Sequence, residues 1–175
     1  ITPIPAFSDN YIWMIAHEGR AAVVDPGDPT PVLKTLEEQG LALDTIIITH
    51  HHFDHTGGVS ALKKATGCRV IGPDNPKIAD IDETMTEGAR VTVLGYGFEI
   101  MEVPGHTLDH IAYYNAEDGT LFCGDTLFVG GCGRVFEGTF PMMQQSLAKL
   151  SHLPSETKVY CTHEYTMANL SFARK

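Results

Sequence analysis

The sequence predicts an α+β fold in which two sheets pack face to face and carry helices on their outer surfaces. Three observations lead there. Short β-branched and aromatic runs recur along the 175 residues, and most are joined in pairs by tight turns containing glycine. Helical patterns are few and are interspersed among the hairpins, which disfavours a doubly wound parallel sheet. Four separate strand ends, at His50, His106, Asp125 and His163, carry side chains able to hold a metal, and ligands bind at the carboxyl ends of strands in open sheets.

In order along the chain, residues 11–16 and 21–25 read as two strands joined through Glu18-Gly19-Arg20. Asp25-Pro26-Gly27-Asp28 breaks the second strand. Asp25 has two balanced readings: a carboxylate that orients a ligand histidine, or a turn-former before Pro-Gly. Thr30-Pro31 suits the cap and first turn of a helix with Val32, Leu33 and Leu36 on one face, stopped at Gly40. Residues 46–49 end a buried strand, and residues 57–64 start a helix. Residues 69–72 form a further strand, whereas 73–90 are polar and irregular and suggest no chemistry. Hairpins follow at 91–94 with 97–103, about Gly95-Tyr96, and at 110–115 with 120–124, through Asp118-Gly119. An amphipathic helix over 141–150 uses Met143, Leu147 and Leu150, and Lys158–Cys161 is the last strand.

Between the strand at 46–49 and the helix at 57–64 lie four imidazoles and a carboxylate in six residues: His50, His51, His52, Asp54 and His55. His50 and His52 are two apart, so an extended backbone sends both to one side and His51 to the other. Asp54 and His55 follow once the chain has begun to turn and can address a second point in space. The pattern therefore suggests two metal positions, with His51 and Phe53 as spacers. The bland alternative is a polar loop that happens to be His-rich, or a tag remnant, but a tag would not sit mid-chain between a strand and a helix, and the metal reading is favoured. Further on, Gly130-Gly131-Cys132-Gly133-Arg134 lets backbone approach a ligand closely, and Arg134 is the cation beside it.

Composition sets the bounds. The length suits one domain with a sizeable core, and no apolar run is long enough to span a bilayer. A formal charge of −10 disfavours nucleic acid as a partner, although two divalent ions would add four positive charges locally. Four scattered cysteines without a C-x-x-C pair suggest neither a disulfide framework nor a zinc knuckle, and point to a reducing, cytoplasmic compartment. Nothing indicates a membrane role, and a monomer is the expectation.

With these residues in view, the chain resembles the metallo-β-lactamase superfamily. The signature H-x-H-x-D-H is met by His50, His52, Asp54 and His55, followed by His106, Asp125 and His163 in order. Within the superfamily it is similar to the glyoxalase II (hydroxyacylglutathione hydrolase) family. The narrower marks are Ile4-Pro5-Ala6-Phe7 with Asp9-Asn10-Tyr11, Gly124-Asp125-Thr126-Leu127-Phe128, Gly131-Cys132-Gly133-Arg134 with Glu137-Gly138-Thr139, and His163-Glu164-Tyr165-Thr166. The resemblance implies an αββα sandwich of two mixed sheets with a dinuclear centre at one edge. His50, His52 and His106 would hold one ion, Asp54, His55 and His163 the other, and Asp125 would bridge them together with a hydroxide. Zinc is the first expectation; iron and manganese suit the same donors. The implied reaction is hydrolysis of the thioester of S-D-lactoylglutathione or a similar 2-hydroxyacylglutathione. Arg134 and Tyr165 match positions that contact glutathione, and Phe136 stands where some members have tyrosine. Residues 1–165 correspond to the catalytic domain and 166–175 to the start of a C-terminal helix, the rest of the family's helical glutathione-binding segment being absent from this sequence. Alternatives on the same fold are a β-lactamase or lactonase, a one-iron persulfide dioxygenase, or a metal-binding protein without catalysis. His55 stands where many two-zinc lactamases leave the second metal to a cysteine, and Asp54 with His55 favours two metals over one.

Overall fold

In the computed structural model, which describes residues 1–175, the first sheet runs in chain order. Its strands are β1 (Thr2–Ala6), β2 (Asn10–His17), β3 (Arg20–Val24), β4 (Ala42–Ile47), β5 (Arg69–Pro73) and β6 (Glu83–Met85). The β1–β2 and β2–β3 pairs are antiparallel, whereas β3–β4, β4–β5 and β5–β6 are parallel. A parallel step needs a crossover, and helices α1 (Pro29–Gln39) and α3 (Val59–Thr66) supply two of them. The second sheet has the order β13-β10-β9-β8-β7, built from β7 (Arg90–Val93), β8 (Tyr96–Glu102), β9 (Ile111–Asn115), β10 (Thr120–Gly124) and β13 (Lys158–Cys161). All its pairs are antiparallel except β10–β13, which is joined through α4 (Phe140–Ser151). A short ribbon, β11 (Leu127–Phe128) with β12 (Gly131–Cys132), and the helices α2 (Phe53–Thr56) and α5 (Thr166–Ala173) complete the chain. No helix is long and apolar enough to cross a membrane.

Strand β4 shows why there are several cores. Ile46 and Ile48 point to the layer where Val32, Leu36, Val59 and Leu62 of α1 and α3 pack, while Ile47 points between the sheets to the cluster of Ile71, Ile100, Tyr113 and Phe122. A strand buried on both faces reads as a continuous apolar run, which is what Ile46-Ile47-Ile48 is. A third cluster joins Val103, Ala112, Leu121 and Cys123 to Leu150 of α4. The layers are helix, sheet, sheet, helix, as the hairpin pattern and the resemblance implied.

Four local features differ from the sequence reading. Strand β1 contains Pro3 and Pro5, which no central strand accommodates; it is an edge strand with β2 as its one neighbour. Strand β6, inside the segment read as irregular, is the opposite edge and only three residues long. The cap of α1 is Asp28, whose carboxylate accepts from the Thr30 amide at 2.8 Å, with Pro29 in the first turn; the stop at Gly40 stands, with φ 63°. Asp54 and His55 lie on α2, too short a helix to show in periodicity.

Candidate metal centre

Four strand ends, those of β4, β8, β10 and β13, together with the short helix α2 bring the expected donors to one edge of the sandwich. His50 and His52 leave β4 on extended backbone, His52 being the residue that opens α2 with φ −60° and ψ 146°. Their rings lie 4.8 Å apart, centroid to centroid. His50 Nε2 is 3.1 Å from His52 Nδ1, which is 3.0 Å from His106 Nε2. The turn of α2 swings Asp54 and His55 to the other side, where His55 Nε2 is 3.6 Å from Asp54 Oδ2, and His163 Nε2 is 3.4 Å from the same oxygen. Asp125 stands between the two groups: its Oδ2 is 3.4 Å from His106 Nε2 and 3.3 Å from His163 Nε2, and its Oδ1 is 3.4 Å from His55 Nε2. Asp125 is delivered by a register shift between β10 and β13 at Gly124. Gly124 has φ 48°, and a Cβ there would lie 2.4 Å from Thr49 Oγ1, so a side chain is excluded on both counts.

The ring nitrogens facing away from this centre are held by acceptors. His106 Nδ1 donates to the Arg134 carbonyl at 2.7 Å, His163 Nδ1 to Asp9 Oδ1 at 2.8 Å, and His50 Nδ1 to Thr49 Oγ1 at 3.0 Å. Asp25 accepts from the Thr49 amide and hydroxyl, both at 2.7 Å, and sits 3.0 Å from His55 Nδ1, an ion-pair distance without hydrogen-bond alignment. Protons held on the outer nitrogens leave lone pairs on the inner ones, the arrangement by which metal-binding histidines are oriented. In the first triad two such lone pairs converge on His52 Nδ1. In the second, His55 Nε2 and Asp125 Oδ1 are buried without a hydrogen-bond partner. Imidazole nitrogens and carboxylate oxygens gathered this closely, two of them buried without a hydrogen-bond partner, are what a divalent cation satisfies, so the donor set fits a metal in both positions.

The two triads differ electrostatically. Burial and neighbouring imidazoles hold His50 well below the usual histidine value, and burial lowers His52 and His106. In the other triad burial also opposes the charged form, but carboxylates overcome it: Asp125 and Asp25 raise His55 well above its usual value, and hydrogen bonds to Asp125 and Asp54 raise His163 to about 10. Asp54 and Asp125 are correspondingly held below the usual carboxylate range despite burial, Asp54 by His163 and His55 and Asp125 by His55 and His163. The surroundings of one triad disfavour protonated imidazoles, whereas the carboxylates of the other favour them.

Above the donors lies a cleft of about 540 Å³ lined by His52, Asp54, His106, Asp125, Arg134, Phe136, Glu137, His163 and Tyr165, among others. Phe136 packs edge-on against His52 and His106, at 5.7 and 5.3 Å, and the Arg134 guanidinium sits 5.1 Å over its ring. Tyr165 stacks on His163 at 4.9 Å with the rings 3° from parallel. The three expected wall residues thus surround the donors.

Sequence reasoning passed over several contributors. Of the two readings of Asp25, both have a counterpart: its carboxylate accepts from Thr49 and lies 3.0 Å from His55 Nδ1, and its carbonyl accepts the Gly27 amide in a turn. Asn10 donates to Asp54 Oδ2 at 3.1 Å; Asp9-Asn10 stood only as a family mark without a role. His110 is fully buried, stacks on His50 at 4.5 Å, and accepts the Asp125 amide on Nε2 at 3.1 Å. Its spacing of four from His106 was the one available signal. His51 is no mere spacer: Asp109, Glu137 and Lys77 surround it.

Comparison with known proteins agrees with this geometry. The pattern of the Metallo-beta-lactamase superfamily matches residues 6–163, and the chain belongs to that superfamily. BLEG-1 B3 metallo-beta-lactamase superposes with a TM-score of 0.85 at 25% identity, over 93% of this chain and 91% of that one. TTHA1623 in a di-iron-bound form does so with a TM-score of 0.82 at 27% identity, over 94% and 92%. Within the superfamily the chain falls in the hydroxyacylglutathione hydrolase family. The Hydroxyacylglutathione hydrolase of Ectopseudomonas mendocina (strain ymp) is 59% identical over 176 residues, covering 99% of this chain and 68% of that protein. Fold and donors together define a divalent-metal centre.

Proposed function

We propose that this chain hydrolyses the thioester of S-D-lactoylglutathione, or of a similar 2-hydroxyacylglutathione, to a 2-hydroxy acid and glutathione, with two divalent ions, zinc first among them. The observation that carries the reading is the pairing of two adjacent donor triads, with Asp125 between them, under a wall that contains one cation and two aromatic rings. His50, His52 and His106 would hold one ion and Asp54, His55 and His163 the other. Bound there, divalent ions polarise a carbonyl and acidify water to a pKa of about 7, so that hydrolysis needs no side-chain nucleophile.

The protein's own groups do the rest. Asp54 and Asp125, both kept ionised, present oxygens that orient an attacking water by accepting its hydrogens. Arg134 meets a carboxylate of the glutathione moiety, and Phe136 offers an apolar face to its stem while shielding His52 and His106 from bulk water. Attack forms a C–O bond and breaks the C–S bond. The departing thiolate, whose acid has a pKa of about 8.5, needs little protonation. The four cysteines form no disulfide, which supports a reducing, cytoplasmic setting.

Metal analysis together with a thioester assay tests this. Two metals per chain and chelator-sensitive hydrolysis of S-D-lactoylglutathione by the full-length protein are expected. Fewer than two metals, or preferential turnover of a β-lactam or lactone, would overturn it.

A further inference from the structure

His51 lies inside the metal motif yet faces away from the metal centre. Its Nδ1 is 2.9 Å from Asp109 Oδ1, and Asn75 Nδ2 donates to the other oxygen of that carboxylate at 2.8 Å. Its Nε2 is 3.4 Å from Glu137 Oε1 and 3.2 Å from Lys77 Nζ, which also donates to Glu137 at 3.5 Å. Glu137 uses its second oxygen to accept the Leu108 amide at 3.1 Å. Three anionic or imidazole groups so close resemble a cation site, but the Lys77 ammonium already sits against two of them, His51 and Glu137. The cluster is therefore an ion-paired hub. The His51 and Asp109 side chains are each only 9% exposed, so that pair is not the kind of solvated surface contact that contributes little, whereas Glu137 and Lys77 form the hub's outer half at 31% and 62%.

Its position gives it a consequence. Glu137 belongs to the segment 134–138 that carries Arg134 and Phe136. That segment is tied to the loop of His106 at its start, where the Arg134 carbonyl accepts from His106 Nδ1 at 2.7 Å, and then by long backbone bonds: the Phe136 and Glu137 amides donate to the His106 carbonyl at 3.2 and 3.4 Å, and Gly138 donates to the Gly105 carbonyl at 3.2 Å. A Cβ at Gly138 would lie 2.7 Å from Gly105 Cα, so the two segments are in direct backbone contact. Apart from these bonds, Glu137 supplies the segment's charged attachment to the metal loop.

We propose that His51 is a positioning residue: held by Asp109, it anchors Glu137 and with it the segment 134–138, and so sets how tightly the acyl-glutathione is bound rather than how fast the bound ester is cleaved. The substrate half of this statement rests on the function proposed above; the anchoring half does not.

The test uses His51→Ala, Glu137→Ala and the double variant in the full-length protein, with His51→Gln as the variant that keeps a donor and an acceptor. For S-D-lactoylglutathione each single alanine variant should raise KM about tenfold with a smaller change in kcat, and the double variant should be no worse than either. His51→Gln should lie between His51→Ala and wild type. Metal content should stay at the wild-type value, and amide hydrogen exchange at Phe136, Glu137 and Gly138 should quicken in His51→Ala. Effects on KM that multiply in the double variant, loss of metal from His51→Ala, or unchanged exchange at 136–138 would each overturn the proposal. Absence of thioester hydrolysis in the wild type would instead overturn the functional reading, and the exchange measurement would still decide the anchoring.

Discussion

The floor and the wall of the cleft are built to different standards. On the floor, four of the five donor histidines have the second ring nitrogen against a named oxygen, and the elements that deliver them come from both sheets. On the wall, Phe136 is 58% and Tyr165 36% exposed, and beyond the Arg134 carbonyl, which accepts from His106 Nδ1 at 2.7 Å, the segment 134–138 rests on backbone bonds of 3.2–3.4 Å. A centre that must present several lone pairs to one point tolerates little freedom, because each misdirected donor forfeits a bond. A wall that admits and releases a flexible tripeptide thioester has no such need.

Breaking the floor should have the largest effect. Asp125→Ala removes the carboxylate that faces both triads, and loss of both metals with at least a thousandfold fall in kcat/KM is expected. Metal analysis checks it, and two tightly held metals in that variant would show that Asp125 does not serve both positions. Asp25→Asn is the sharper probe, since Asp25 touches His55 directly and reaches the other triad only through Thr49, which holds His50. It should weaken one of the two metals about 10- to 100-fold and the other less, read from competitive chelation. Equal weakening of both would mean the triads are not separable.

The wall should respond more mildly. Phe136→Ala removes the ring under Arg134 and beside two histidines, and KM should rise about tenfold at unchanged metal content. Loss of metal in that variant would make Phe136 part of the floor. Asp82→Asn provides the smallest effect, remote from both regions. Asp82 bonds Lys63 and the Val70 amide, which hold its carboxyl below the usual range. A carboxyl depressed in the folded state stabilises at pH values above its unfolded pKa, about 4, and that contribution fades as pH falls through the folded value. Because the group is substantially exposed, the loss at neutral pH should stay under about 1 kcal/mol by urea unfolding, and it should shrink further below pH 4.

Much of the floor was legible in the linear sequence. His50 and His52 are two apart on extended backbone, so their shared direction follows from the strand period alone; His106, Asp125 and His163 follow apolar runs that could only be strands. The hairpins at Gly19, Gly95 and Gly119 and the helix stop at Gly40 were equally local, and all four have φ between 61° and 89°. What escaped was short, peripheral or relational. Strands β1 and β6 are edges, one bearing prolines and one three residues long, so neither carries the pattern of a central strand. His51 read as a spacer because its neighbours own the alternation, and its true partners lie in segments that looked like loops.

The sequence by itself determined the donor types, their order, and the separation into two positions, because spacing of two on a strand and a turn after it are properties of adjacent residues. Only the tertiary structure decided which oxygen each outward nitrogen meets. Asp9 is 154 positions from His163, Asp25 is 24 from Thr49, and Asp109 is 58 from His51. Such pairings exist once two sheets have packed and brought their strand ends to one edge. Nothing in the local periodicity of either partner specifies the other.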